Sequence, residues 1–419
     1  MMNLFKRKLL VLIPILAIIG PGIIAGNVDN DAAGITNYSI AGAHFGYSLL
    51  WVLFLSTFSL AVTQEIGARM GLVTGKGLGA LIREKFGVKW TAFVMIILFF
   101  ANLGTIAAEF AGVAASLEIF HIPRIVSVPI AAVLIYIVIT KGNFKKIERL
   151  FLLLSFFYIA YILSAFNARP DFTLALKSLV VPHLELQGAF LLTMIALIGT
   201  TITPWGQFFI QDYVVDKKLS KEDLKIERGD VFLGSFLTNF FAFFIIVATA
   251  ATLYTQGIRI DDAKDAALAL KPLVGQAAAA IFGLGFLNAS LFGALVVPLT
   301  TAYVITQAFG AESGLNFSYR QAPKFYTLIA ILLIIGAGMV AIPFFPLINI
   351  LVATQVVNAI LLLPIFVFLY ILSNDKKLLG DYANGKFINI LLIVTLIAIS
   401  IAAVLFSVAI FAPNILEVF

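Results

Sequence analysis

Gly26-Asn27-Val28-Asp29-Asn30-Asp31-Ala32-Ala33-Gly34 sets two carboxylates and two amides between a hydrophobic run that begins near Leu9 and a second apolar segment reaching Phe45. Ionisable groups inside a segment of membrane length are costly unless partnered, so a functional site is their default reading. Glycines at both ends and strong helix-capping residues between them predict a broken helix. Carboxylates and freed backbone carbonyls at such a break would face a cation.

Working outward, composition sets the class. The chain has 419 residues, 61% hydrophobic and 12% charged, with a mean hydropathy of +1.05. Soluble domains carry about 25% charge, so this is an integral membrane protein whose partner is the lipid bilayer. The absence of cysteine excludes a disulfide scaffold and a thiolate metal site. His44, His121 and His183 all lie near predicted segment ends, so soft ligation is thinly supplied. The net charge of +6 is spread over short loops, which argues against a nucleic-acid partner. No nucleophile, base and orienting group recur together and no cofactor motif is present, so neither an enzyme nor a bound cofactor is expected. Met1 to Lys8 followed by apolar residues resembles a signal peptide, but Pro21 and the polar cluster continue into a long membrane domain, so a retained first helix is expected.

Apolar segments long enough to span a bilayer fall at about residues 9–42, 47–70, 89–117, 123–140, 148–166, 188–212, 231–255, 274–308, 325–343, 345–372 and 387–411, eleven in all. The alternate connections 1–8, 71–88, 141–147, 213–230, 309–324 and 373–386, with Arg69, Lys89 and Arg149 at their flanks, hold 22 of the 28 Lys and Arg residues. That bias predicts a cytoplasmic N-terminus, an extracytoplasmic C-terminus and a multi-pass protein of the cell membrane. Within the connections, Lys217 to Arg228 reads as a solvated amphipathic linker, and Asp261 to Asp265 as a solvated outer face.

The sixth segment carries a second irregularity, Gly199-Thr200-Thr201-Ile202-Thr203-Pro204-Trp205-Gly206-Gln207. Proline removes a backbone donor and glycine permits unusual torsions, so a break near Thr203 follows. Interrupted helices at the first and sixth positions, five spans apart, predict an all-α fold of LeuT type. Its inverted five-helix repeats would cover residues 1–170 and 171–372, with an extra helix in 373–419.

Other intramembrane polar residues fill out the candidate route. Glu109 lies deep in the third segment; Glu65 and Arg69, four apart on one helical face, read as a structural pair or gate latch. Gln207 and Gln211 follow the sixth break, Gln355 precedes Pro364 in the tenth segment, and Trp205 is either packing or a cavity wall. Asn102, Asn239, Asn288, Asn349 and Asn358 read mainly as helix-to-helix hydrogen-bonding groups. Carboxylate, amide, hydroxyl and carbonyl ligands suit magnesium, calcium or manganese better than zinc or copper. Magnesium keeps several waters and binds through one or two carboxylates. Asp29 can join Asp31 only if the chain unwinds between them, and a role as an end cap or vestibule charge stays equally open.

At this point the chain resembles the NRAMP family of divalent metal transporters. The residues that carry the resemblance are Gly20-Pro21-Gly22, the acidic segment, Ala41-Gly42-Ala43-His44-Phe45-Gly46-Tyr47, Leu49-Leu50-Trp51-Val52-Leu53, Val73-Thr74-Gly75-Lys76 and Ala108-Glu109. The departures are informative. The family's Asp-Pro-Gly-Asn stands here as Asp31-Ala32-Ala33-Gly34, and its Met-Pro-His as Thr203-Pro204-Trp205. Ile106 replaces the acid that precedes the third-helix glutamate, and no arginine lies between Phe325 and the end of the tenth segment. These changes look like the NRAMP-related magnesium transporter branch, which carries magnesium, and also manganese, partly hydrated and without obvious proton coupling. The resemblance implies that Asp31 binds the ion, with backbone carbonyls around Val28, Asn30 and Thr201. Thr203, Gln207 and Gln355 would touch the ion or its waters. Asp29, Glu109, Trp205 and Gln211 would line a vestibule or route. The ion is substrate rather than cofactor, and no obligate protein partner is evident. The alternatives are a proton-coupled manganese or iron importer and a sodium-coupled symporter of an organic solute.

Overall fold

A computed structural model describes residues 25–26, 28–141, 155–315, 317–342, 344 and 346–411. The helices that matter here are α1 (Ala32–Phe45), α2 (Leu50–Thr74), α3 (Leu78–Ile119), α4 (Arg124–Lys141), α5 (Ile159–Ala168) and α6 (Phe172–Val180). They continue with α7 (Gly188–Thr201), α8 (Pro204–Asp216), α9 (Leu224–Thr252), α10 (Ala278–Ala308), α11 (Pro323–Ala341), α12 (Leu347–Ser373) and α13 (Lys386–Phe411). Nine stretches among the described residues are long and apolar enough to cross a bilayer. Each coincides with a predicted segment, because helices that satisfy every backbone group internally are what a lipid-facing apolar run can form. The expected first and fifth segments lie partly outside the described residues; α1 and α5 are their described portions.

Three local departures have plain causes. The connection expected over 71–88 is helical from Leu78, and α3 turns into the bilayer at Gly87, whose φ of 79° is the left-handed conformation that glycine adopts without strain. The linker expected over 217–228 is already α9 from Leu224, and Glu227 in its first turn is fully buried rather than solvated. Asp262 and Asp265, expected as part of a solvated face, form a reciprocal capping box on the short helix Ala263–Ala267.

Small residues decide how closely the central helices approach. A Cβ on Gly42 of α1 would stand 2.3 Å from the Ile246 carbonyl of α9, and one on Gly112 of α3 would stand 2.3 Å from both Ala32 Cβ and Ser290 Oγ. On α2, Gly67 and Gly71 face Ile210, Val214 and the backbone of α8. Such small-residue faces let backbones pack where lipid supplies no hydrophobic drive. They press α1 onto α3, α9 and α10, and α8 onto α2, which brings the two interrupted segments together.

Candidate ion site at two helix breaks

Each break is built the same way. In the first segment Val28 and Asp29 are still helical, Asn30 turns, and Asp31 becomes the N-cap of α1 with extended torsions (φ −71°, ψ −171°). Its Oδ1 accepts the Gly34 N–H at 2.7 Å. In the sixth segment α7 ends at Thr201, Ile202 and Thr203 are extended, and α8 starts with Pro204 at its first position. The Thr203 hydroxyl accepts the Gly206 N–H at 3.3 Å. Pro204 loses nothing there, since a first-turn N–H is unpaired in any helix. The Thr200 carbonyl, four residues before it, is left without a helical donor.

The two acids diverge. The Thr203 hydroxyl donates to Asp29 Oδ1 across the gap at 3.3 Å, and Asp29 Oδ2 is buried without a hydrogen-bond partner. Asp29 therefore joins the two breaks, while the capping role falls to Asp31. Asp31 in turn faces α3, where its carboxyl interacts with that of Glu109. Glu109 is fully buried, with neither oxygen holding a partner of ordinary hydrogen-bond geometry among the described residues. Its carboxyl lies against Gly293 of α10, where a Cβ would come within 2.4 Å of it.

The remaining sequence candidates sort around these two points. Val28 is buried at the first break. The Asn30 carbonyl accepts the Tyr158 hydroxyl at 2.5 Å, and its side-chain amide donates to the Thr238 carbonyl at 3.2 Å. Thr201 donates to the Leu197 carbonyl and meets the Tyr38 hydroxyl at 3.2 Å. Gln207 Nε2 reaches the Thr203 carbonyl at 3.5 Å, and its Oε1 is buried and unpartnered. Trp205 is fully buried against Phe209, its indole N–H also unpartnered. Two candidates are engaged elsewhere. Gln355 Oε1 accepts from Asn358, which also donates to Thr105 of α3, and Gln211 donates to the Lys76 carbonyl at 2.8 Å. Glu65 and Arg69 do pair, at 3.0 Å.

Sequence reasoning passed over three residues: Tyr38, Tyr158 and Gln64. Tyrosines in an apolar run give no signal of their own. Gln64 did give one, as a mid-segment amide, but the adjacent ion pair drew the reading. A cavity of about 660 Å³ beside Phe45, Arg169, Lys177, His183 and Tyr254 includes none of the break residues, and Asp29, Asp31, Thr203 and Gln207 are buried. What converges on the breaks is almost entirely oxygen: carboxylate, hydroxyl, amide and backbone carbonyl. That set holds a hard cation and supplies acceptors for its water.

Comparison with known proteins agrees with this architecture. Residues 22–409 match the family model described as natural resistance-associated macrophage protein-like (Nramp). The chain is 28% identical over 408 residues to the divalent metal cation transporter MntH of Bacillus subtilis, covering 93% of this chain and 91% of that protein. It is 29% identical over 393 residues to MntH of Yersinia enterocolitica, covering 90% and 91%. A crystal structure of a point mutant of the Eremococcus coleocola manganese transporter superposes with a TM-score of 0.79 at 19% identity, over 96% of this chain and 88% of that one. The fold is thus all-α and membrane-integral, of LeuT type, with inverted five-helix repeats and discontinuous first and sixth helices. The chain belongs to the Nramp family.

Proposed function

We propose that this protein carries divalent cations across the cell membrane by alternating access, magnesium foremost and manganese as well, partly hydrated and without proton coupling. The observation that carries the reading is the donor set at the breaks. Asp29, Thr203 and Gln207 present hard oxygens, two of them buried and unpartnered, and neither a thioether nor an imidazole stands at Thr203-Pro204-Trp205. Hard oxygen ligands favour magnesium over softer ions. In this reading Asp31 takes the ion directly, with carbonyls from Val28, Asn30 and Thr201. Thr203 and Gln207 touch the ion or its waters, Asp29, Glu109 and Trp205 line the route, and Gln355 and Gln211 join them only by giving up Asn358 and the Lys76 carbonyl. The distribution of Lys and Arg supports a cytoplasmic N-terminus.

One observation favours a second reading, proton-coupled manganese import: Asp31 and Glu109 place two buried carboxyls close enough to interact, a natural seat for a proton. Proteoliposomes loaded with a magnesium-sensitive dye and a pH dye separate the two. Saturable magnesium entry without acidification is the expected result. Manganese entry with stoichiometric acidification and no magnesium entry would transfer the assignment to the second reading.

A further inference from the structure

The face of α2 that packs on α8 runs through Gln64, Gly67 and Gly71, spaced three and four residues apart as a single helical face requires. Gly67 and Gly71 hold the α8 backbone in contact: their notional Cβ atoms stand 3.3 Å from the Gln207 carbonyl and 2.8 Å from the Gln211 carbonyl. One turn further along the same face, Gln64 reaches the sixth-helix break. A Cβ on Gly206 would stand 3.9 Å from Gln64 Nε2 and 3.9 Å from Asp29 Oδ1. Gln64 is 1% exposed, and both its Oε1 and its Nε2 lack hydrogen-bond partners.

A fully buried primary amide with no partner at either end is rare in a folded protein, because each unsatisfied group keeps its full desolvation penalty. Its Nε2 end and Asp29 Oδ1 each lie 3.9 Å from the same notional Gly206 Cβ, and Asp29 Oδ2 and Gln207 Oε1, on the residues of the two breaks, are unpartnered as well. Three such groups from three segments, α2, α8 and the end of the first broken helix, offer acceptors suited to a guest with hydrogen atoms to donate. Water bound to a divalent cation is such a guest: the ion polarises it, and its hydrogens point outward to acceptors.

We infer that Gln64 is a substrate-contacting residue of the transport site: its Nε2 end lies at the break, and a half-turn of the amide brings its oxygen there to accept from cation-bound water, which sets how tightly the hydrated ion is held. This rests on the transport reading above and adds α2 to the elements that form the site. An ion shared between Asp29 and Asp31 would meet Gln64 and Gln207 on the α8 side and the Glu109 carboxyl on the α3 side.

The test uses the full-length protein in detergent for manganese binding by calorimetry, and in proteoliposomes for uptake. Gln64→Leu keeps the volume and removes both polar ends. It should stay monodisperse, melt no lower than wild type, and bind manganese about tenfold more weakly, equivalent to about 1.4 kcal/mol. KM should rise by the same factor with little change in maximal rate. Gln64→Glu, which keeps the shape and strengthens the acceptor, should bind manganese more tightly than wild type and release it more slowly. A folded Gln64→Leu protein that binds within twofold of wild type overturns the inference while leaving the transport reading intact. So does wild-type affinity in Gln64→Glu, should the leucine variant fail to fold. A wild-type protein that neither binds nor transports divalent cations overturns both.

Discussion

Replacing Arg69 with methionine tests whether the buried ion cluster at the end of α2 holds the bundle together. Arg69 and Glu65 are 1% and 4% exposed. The guanidinium meets the carboxylate at 3.0, 3.2 and 3.1 Å, donates to Asn384 at 2.7 Å and also to the Tyr382 carbonyl. It thereby ties α2 to the segment joining α12 and α13. Arg228, at the start of α9, donates to the same carboxylate at 2.7 Å, but its side chain is 44% exposed. Removing one partner of a buried pair costs about 3–5 kcal/mol, because the other charge is left behind. Here Arg228 still covers one Glu65 oxygen, so the loss for Arg69→Met should fall at the lower end, about 3 kcal/mol. Arg228→Met breaks a pair open to solvent and should cost about 1 kcal/mol or less. The double variant Glu65→Gln, Arg69→Met leaves no buried charge and should recover much of the loss. Unfolding of wild type, Arg69→Met, Glu65→Gln and the double variant in one detergent gives the coupling by a double-mutant cycle. Equal stabilities for Arg69→Met and wild type, or a double variant worse than the sum of the single losses, would refute the reasoning.

Two further outcomes follow from the geometry. Asp31→Ala should fold and lose saturable divalent uptake, whereas Asp29→Asn, which keeps a partner for Thr203, should retain uptake with a KM raised at least about tenfold, a loss of about 1.4 kcal/mol in binding; saturable wild-type transport by Asp31→Ala would remove that residue from the site. Gly199→Ala puts a Cβ 1.9 Å from the Gln355 carbonyl and 2.9 Å from the Ala359 nitrogen of α12, backbone atoms that cannot swing aside. It should lower stability by about 1–3 kcal/mol, while Gly338→Ala, with nothing within 4 Å, should not. Matching melting temperatures for the two glycine variants would show that α7 and α12 do not need their close approach.

Both breaks were legible because their causes are local. Pro204 and Thr203 announce a helix start wherever they occur, and Asp31 three residues before Gly34 is a capping arrangement that needs no tertiary partner. The membrane spans were legible for the same reason, since apolar length is a local property. What the sequence hid was partnership across distance. Asp29 meets Thr203 from 174 residues away, and Glu109 finds a notch made by a missing side chain at Gly293 on another helix. Gln355, attractive by composition and position, is drawn off by Asn358 one turn along its own helix, a competition that no count of polar residues shows.

The divergence of Asp29 and Asp31 has a physical origin that unites these observations. Residues two apart project about 200° from one another on a helix, so they cannot share a face. The turn at Asn30 and the extended torsions of Asp31 do not swing them together; each acid keeps its own direction while the chain between them opens. Asp29 is held by the start of α8 and Asp31 by its own helix and α3. A cation entering the opening would be approached by one carboxylate from each side, and rocking α8 against α3 would separate the two. Under the proposed transport reading, binding and release would follow from the same movement: the ion would be held while both carboxylates reach it and freed when one withdraws. For that cycle the essential feature is the unwound turn between the acids.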